Sequence, residues 1–172
     1  NVRGVCVHDH AQLIFVDTPG IFDAGKNFEK AMVGAAWAGI GDADAALLLL
    51  DDKNGIREST RALFEKLKGR KKPLFLAINK IDAVPKEKLL ELAKTCDAFG
   101  VFDRIFMISA LKGGGVDDVK AHLAGLMPEG PFHYPEDEMS DISLRLLAAE
   151  ITREKLFLML DQELPYAIFV ET

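Results

Sequence analysis

Residues 73–82 read Pro73-Leu74-Phe75-Leu76-Ala77-Ile78-Asn79-Lys80-Ile81-Asp82, an unbroken apolar run that ends in a polar loop. A run that is continuously apolar rather than alternating is the mark of a strand covered on both faces in a parallel sheet. The pattern occurs upstream in Ala45-Ala46-Leu47-Leu48-Leu49-Leu50, closed by Asp51-Asp52. It occurs downstream in Arg104-Ile105-Phe106-Met107-Ile108-Ser109, which leads into Ala110-Leu111-Lys112 and the glycines 113–115. Helical spacing fills the intervals at 57–69, from Pro85 to about Phe99, and at 116–127. Strands alternating with helices predict a three-layer α/β sandwich around a mostly parallel sheet, with ligands bound outside the carboxyl ends of the strands.

Two β-rich runs, Val2–Val7 and Gln12–Val16, open the chain and are separated by His8-Asp9-His10-Ala11, which predicts an antiparallel pair. After Thr18-Pro19-Gly20, apolar positions from about Asn27 to Ile40, Trp37 among them, predict a helix with Asn27 as its cap. Pro128, Gly130, Pro131 and Pro135 break the pattern and predict a semi-rigid connection. Beyond it lie an amphipathic stretch from Ser140 to about Leu160 and a strand at Pro165–Val170. The organisation expected is a domain over 1–127, a linker over 128–139, and the start of a second, incomplete domain over 140–172. The chain opens at Asn1 inside a strand and stops at Thr172 with another under way, so it reads as a piece of a longer protein.

With 172 residues, 49% apolar and 28% charged, the composition excludes disorder and collagen-like repeats. No apolar run approaches the ~20 residues that cross a bilayer, and no signal segment opens the chain, which reads as soluble and intracellular. The formal charge of −6 argues against a whole-surface grip on nucleic acid. Cys6 and Cys96 lack metal-site spacing and read as reduced, buried thiols without a disulfide partner. His8-Asp9-His10 reads as a solvated turn rather than a metal site, and the basic run Lys66–Lys72 as cations favoured by a helix C-terminus.

Three loops carry the chemistry: Asp17-Thr18-Pro19-Gly20, Asn79-Lys80-Ile81-Asp82 and Ser109-Ala110-Leu111-Lys112, each at the carboxyl end of a strand. In that order they resemble the guanine-nucleotide loops of the P-loop GTPases. The resemblance implies GTP or GDP as ligand and Mg²⁺ as cofactor, with Asp17 holding the metal through a water and the Gly20 N–H reaching the γ-phosphate. Asp82 fits guanine because the base presents N1–H and its exocyclic amine as adjacent donors that one carboxylate accepts together. Adenine lacks that pair and would leave the carboxylate unpaired. By resemblance, Asn79 holds the N7 edge and the local loop, and the Lys80 stem packs beside the base. The Ala110 N–H meets O6, Ser109 braces its loop, and Lys112 lies near the ring.

The pattern departs from the family in two places. Gly20-Ile21-Phe22-Asp23-Ala24-Gly25-Lys26-Asn27 approaches the phosphate-loop signature, but Asn27 lacks the hydroxyl that binds Mg²⁺ and Gly20 already belongs to the first loop. The order of the other loops puts the true phosphate loop before Asn1, together with the strand that feeds it. That strand would lie between the strand ending in Asp17 and the strand Ala45–Leu50. Two inner edges are therefore expected to lack partners, and the 172 residues alone are not expected to form a stable, GTP-hydrolysing monomer. Ile21 stands where many small GTPases carry a water-orienting glutamine, so no catalytic base is assigned.

Pro135-Glu136-Asp137, the run Ser143–Leu156 and Glu163-Leu164-Pro165-Tyr166 resemble the domain junction and opening KH segment of the Era family of bacterial GTPases. Membership implies a GTPase that assists small ribosomal subunit maturation and binds small-subunit rRNA through a KH domain. It also implies a cytoplasmic protein associated peripherally with the inner membrane. The alternative is a nonhydrolytic structural or RNA-associated module, given the missing phosphate loop.

Overall fold

The computed structural model of the chain describes residues 3–17, 43–51, 56–69, 71–136, 148–149, 151–152 and 154–156. Strands β1 (Arg3–His8) and β2 (Ala11–Val16) form an antiparallel hairpin whose register runs from His8 opposite Ala11 to Arg3 opposite Val16. Only Asp9 and His10 connect them, a tighter reversal than the four-residue one expected. Asp9 has φ 52°, a left-handed conformation that aspartate tolerates because its short polar side chain bonds locally.

The remaining elements alternate as β3 (Ala46–Leu50), α1 (Glu58–Leu67), β4 (Leu74–Ile78), α2 (Lys86–Asp97), β5 (Arg104–Met107) and α3 (Val116–Ala124). Strands β3, β4 and β5 pair in parallel in that order, with Leu47 opposite Phe75 and Leu76 opposite Ile105. β3 and β4 begin one residue later than their sequence patterns, β5 ends two residues earlier, and the helices stop two to three residues before theirs. The helix at 27–40, Trp37, the stretch 20–27 and the strand at 165–170 lie outside the described residues. Of the 140–160 stretch, residues 148–149, 151–152 and 154–156 are helical.

β4 is the centre of the core because it has a hydrogen-bonded neighbour on each side and a packed layer on each face; all five of its residues are buried. Its alternation sorts them. Leu74, Leu76 and Ile78 join Phe64 and Leu67 of α1, Leu89 and Cys96 of α2, and Val101. Phe75 and Ala77 face the other way, into a cluster with Phe106, Ile108, Val119 and Leu123 of α3, and Leu13 of the hairpin. Phe64 is wholly buried and meets Phe99 and Phe102 edge-on at 5.2 and 4.9 Å, a favoured quadrupole geometry. The layers are thus α1 and α2, the parallel sheet, and α3, against which one face of the hairpin packs.

Among the described residues the strands form two sheets, and β2 and β3 share no ladder. This is the position between the Asp17 strand and the Ala45–Leu50 strand where the sequence expects unpaired edges. Leu49 of β3, apolar and 60% exposed, contrasts with the buried β4 residues. No helix among the described residues is long and apolar enough to cross a membrane.

Candidate functional site

The carboxyl ends of β3, β4 and β5 deliver three loops to one edge of the sheet, and backbone bonds continue past the strand ends to fix them. The Asn79 N–H donates to the Leu50 carbonyl at 2.9 Å, the Ile108 N–H to Ile78 at 2.8 Å, and the Ile81 N–H to Ile108 at 3.2 Å. Lys80 then adopts φ 63°, which turns the chain out of the sheet and into the 3₁₀ turn Ile81–Ala83. A non-glycine residue in that region is uncommon and marks a loop held by its surroundings.

Asn79 links two loops. Its Oδ1 accepts from the Lys80 N–H at 2.8 Å and from the Ala110 N–H at 3.0 Å. The loop-holding role inferred for Asn79 therefore has a direct geometric form. The Ala110 N–H, expected to meet guanine O6, here donates to Asn79. Ser109, 2% exposed, donates its hydroxyl to Asp82 Oδ1 at 2.6 Å and accepts from the Lys112 N–H at 3.1 Å. Its own backbone is bonded to Gly114 and Gly113, both at 2.8 Å. Lys112 Nζ stands 4.0 Å from Asp82 Oδ2, so a serine hydroxyl and an ammonium approach the two oxygens of one carboxylate. The Lys80 ammonium pairs with Asp51 at the end of β3.

Gly115 begins α3 and closes the third loop with φ 72°; a Cβ there would lie 2.4 Å from the Met107 carbonyl oxygen. Only glycine permits that approach. Leu111 is 85% exposed on the same loop, an apolar surface beside the Asp82 carboxylate's loop. Asp17 follows β2 directly and is exposed; Thr18, Pro19, Gly20 and Ile21 lie outside the described residues. The structure thus brings Asn79, Asp82, Ser109, Ala110 and Lys112 together by direct contacts, and Asp17 stands at the end of a strand in the other sheet. Sequence reading missed the Asp51 to Lys80 pair, since nothing in spacing distinguishes Asp51 from an ordinary strand-closing residue.

For an incoming base the arrangement supplies an oriented carboxylate. The Ser109 hydroxyl fixes the Asp82 plane, leaving acceptor lone pairs on a group that ionised carboxylates offer in abundance. That pair of acceptor oxygens fits the two adjacent donors of guanine. Asp17, an exposed carboxylate, fits a metal that keeps most of its waters, as Mg²⁺ does.

These features define the GTP-binding domain of the P-loop GTPases, and the profile of the Elongation factor Tu GTP binding domain family matches residues 4–170. The chain is 52% identical over 171 residues to GTPase Era of Sinorhizobium medicae and 53% identical to GTPase Era of Afipia carboxidovorans, in each case over 99% of its length. The structure superposes with a TM-score of 0.79 on a crystal structure of Era in complex with MgGDPNP and nucleotides 1506–1542 of 16S ribosomal RNA, at 36% identity and over 95% of the chain. A variant of Aquifex aeolicus Era bound to GDP and aluminium fluoride gives 0.78. The chain belongs to the GTPase Era family. It spans 55% of the first of those relatives and 56% of the second.

Proposed function

We propose that this chain forms the guanine-binding part of an Era-type GTPase that binds and hydrolyses GTP and assists small ribosomal subunit maturation by binding small-subunit rRNA. The observation that carries the reading is the Ser109 to Asp82 hydrogen bond at 2.6 Å. It orients the one carboxylate able to accept from both guanine donors, in a loop tied by Asn79 to the next. Relatives support the ligand and RNA halves: one Era structure holds MgGDPNP with 16S rRNA.

In this reading Asp82 accepts from the base N1–H and exocyclic amine, the Lys80 stem covers the ring, and Asn79 and Ser109 keep the loops in register. Asp17 holds Mg²⁺ through a water; the metal, when bound, neutralises phosphate charge. Residues Thr18, Pro19, Gly20 and Ile21 complete the first loop, and Ile81, Leu111 and Lys112 line the base side. No residue is assigned as catalytic base. The domain reading is a GTPase domain over 1–127, a linker over 128–139 and the start of a KH domain over 140–172, supported by the absence of helix or strand over 128–136 in the structure. Cytoplasmic residence and peripheral association with the inner membrane rest on family likeness.

Fluorescent GDP titration of the full-length protein, with GTP and ATP as competitors, tests the reading. Displacement by GTP with ATP ineffective is expected; equal displacement by both would remove the guanine assignment.

A further inference from the structure

At the loop-bearing edge of the sheet, two charged side chains of one loop are drawn apart. Asp82 is held on the β5 side, where the Ser109 hydroxyl donates to its Oδ1 at 2.6 Å. Lys80, two residues earlier, sends its ammonium the other way, to the Asp51 carboxylate at the end of β3. Because the strands lie in the order β3, β4, β5, the loop after β4 sits in the middle and its two charges go to opposite neighbours.

The main chain around this pair is stiff. The Asn79 N–H donates to the Leu50 carbonyl at 2.9 Å, so Asp51 and Lys80 each stand one residue beyond the same bond. The Lys80 N–H donates to Asn79 Oδ1 at 2.8 Å, and the Lys80 carbonyl accepts from the Ala83 N–H at 2.9 Å. Its φ of 63° lies in a region where a non-glycine residue stays only when its surroundings hold it. Fixed at Cα by these bonds and at Nζ by Asp51, the flexible four-carbon stem of Lys80 is tethered at both ends.

Such a pair does little for folding. The Lys80 and Asp51 side chains are 50% and 39% exposed, and exposed ion pairs contribute little to stability. What the pair prevents matters more. A lysine two residues from a carboxylate in one turn can reach it, and an ammonium seated on Asp82 would take acceptor capacity that the two guanine donors need. Lys112 Nζ stands 4.0 Å from Asp82 Oδ2, so Lys80 would be a second cation on the same group.

We propose that Asp51 is a positioning residue of the base site: by anchoring the Lys80 ammonium at the end of β3, it lays the lysine stem out for the base to pack on and keeps Asp82 open to both guanine donors. The proposal rests on the guanine-nucleotide reading above. Asp51 acts through Lys80 and needs no contact with the nucleotide.

Displacement of fluorescent GDP from the full-length protein by GDP, inosine diphosphate and ADP tests it in the wild type, Asp51→Ala and Asp51→Glu. Asp51→Ala should weaken GDP binding about fivefold, the equivalent of a strong exposed ion pair. Inosine diphosphate lacks the exocyclic amine and asks one bond fewer of Asp82, so its affinity should fall less and the preference for GDP over it should narrow. Asp51→Glu returns the carboxylate and should restore most of both. The gap between wild type and Asp51→Ala should close near about 1 M salt, where the screening length is about 3 Å. GDP affinity of Asp51→Ala within about twofold of the wild type, less than such a pair supplies, overturns the positioning role. An equal loss for GDP and inosine diphosphate, a loss that persists at high salt, or no recovery in Asp51→Glu overturns it as well. In each of those cases a wild type that prefers GDP to ADP leaves the guanine reading standing; a wild type that binds both alike removes that reading and the positioning role with it.

Discussion

Under the guanine-nucleotide reading proposed above, base choice turns on Asp82, whose two oxygens have different neighbours. Ser109 holds Oδ1 at 2.6 Å, and Lys112 stands 4.0 Å from Oδ2. In the full-length protein Asp82→Asn should shift preference from GTP toward XTP by about 10⁴-fold, since an amide donates to the xanthine carbonyl where the carboxylate accepted from guanine. Competition between the two nucleotides reads the change directly; GTP affinity left at the wild-type value would refute it. Ser109→Ala keeps the carboxylate but frees its plane. A hydrogen bond to a charged group contributes about 1.5–3 kcal/mol, so guanine-nucleotide affinity should fall by about ten- to a hundredfold, with base preference retained. Isothermal titration with GDP checks this. The types of these residues were legible as a motif. Their division of labour was not, because a serine that braces its own loop and one that orients a neighbouring carboxylate look alike in a sequence.

At the scale of elements, the parallel strands were readable from their continuous apolar runs; in Leu74–Ile78 the run reflects burial on both faces, whereas Ala46–Leu50 carries the same kind of run with only Leu50 buried. The α1 and α2 helices end earlier than their sequence patterns even though their last turns carry the buried Leu67 and Cys96, because apolar spacing marks which residues pack and not where the helical hydrogen bonds stop. Less legible was how the hairpin attaches: Leu13 and Gln12 are neighbours in sequence, yet one enters the core and the other clasps His133 and Tyr134, more than a hundred residues away, with three hydrogen bonds of 2.8–3.0 Å. A lone glutamine carries no sequence signal for that. The turn from β5 into α3 offers a sharp element-level test at Gly115. Its φ of 72° and the 2.4 Å approach to the Met107 carbonyl mean that Gly115→Ala adds a steric clash to backbone strain that itself costs about 1–3 kcal/mol. Chemical denaturation of the variant should show a midpoint shift of at least that size. In the core below, Phe64→Ala should cost about 3–5 kcal/mol, measured the same way, because Phe99 and Phe102 would lose their shared edge-on partner.

The whole molecule's stability also depends on pH through a group far from the nucleotide loops. Cys96 is wholly buried among α2 and the α1 cluster, and burial pushes its thiol up to about 11 from an ordinary 9.0. The native state therefore holds this proton more tightly than the unfolded chain does. Its contribution is fully present below pH 9 and is lost as pH rises from there through about 11, a change on the order of 2 kcal/mol. Denaturation midpoints at pH 8 and about 11 should converge for Cys96→Ala relative to the wild type, isolating this residue from other groups that titrate at high pH. A second property of the whole chain follows from the clasp between Gln12 and Tyr134. Those bonds close a ring of backbone spanning |i−j| = 122 residues, and joining the ends of so long a flexible loop costs on the order of 4 kcal/mol of chain entropy, more than three such hydrogen bonds typically return. The clasp can form only after β1, β2 and the parallel sheet have already drawn the chain together. It is accordingly a late event in folding, absent from the transition state, and its loss should accelerate unfolding while leaving the refolding rate unchanged.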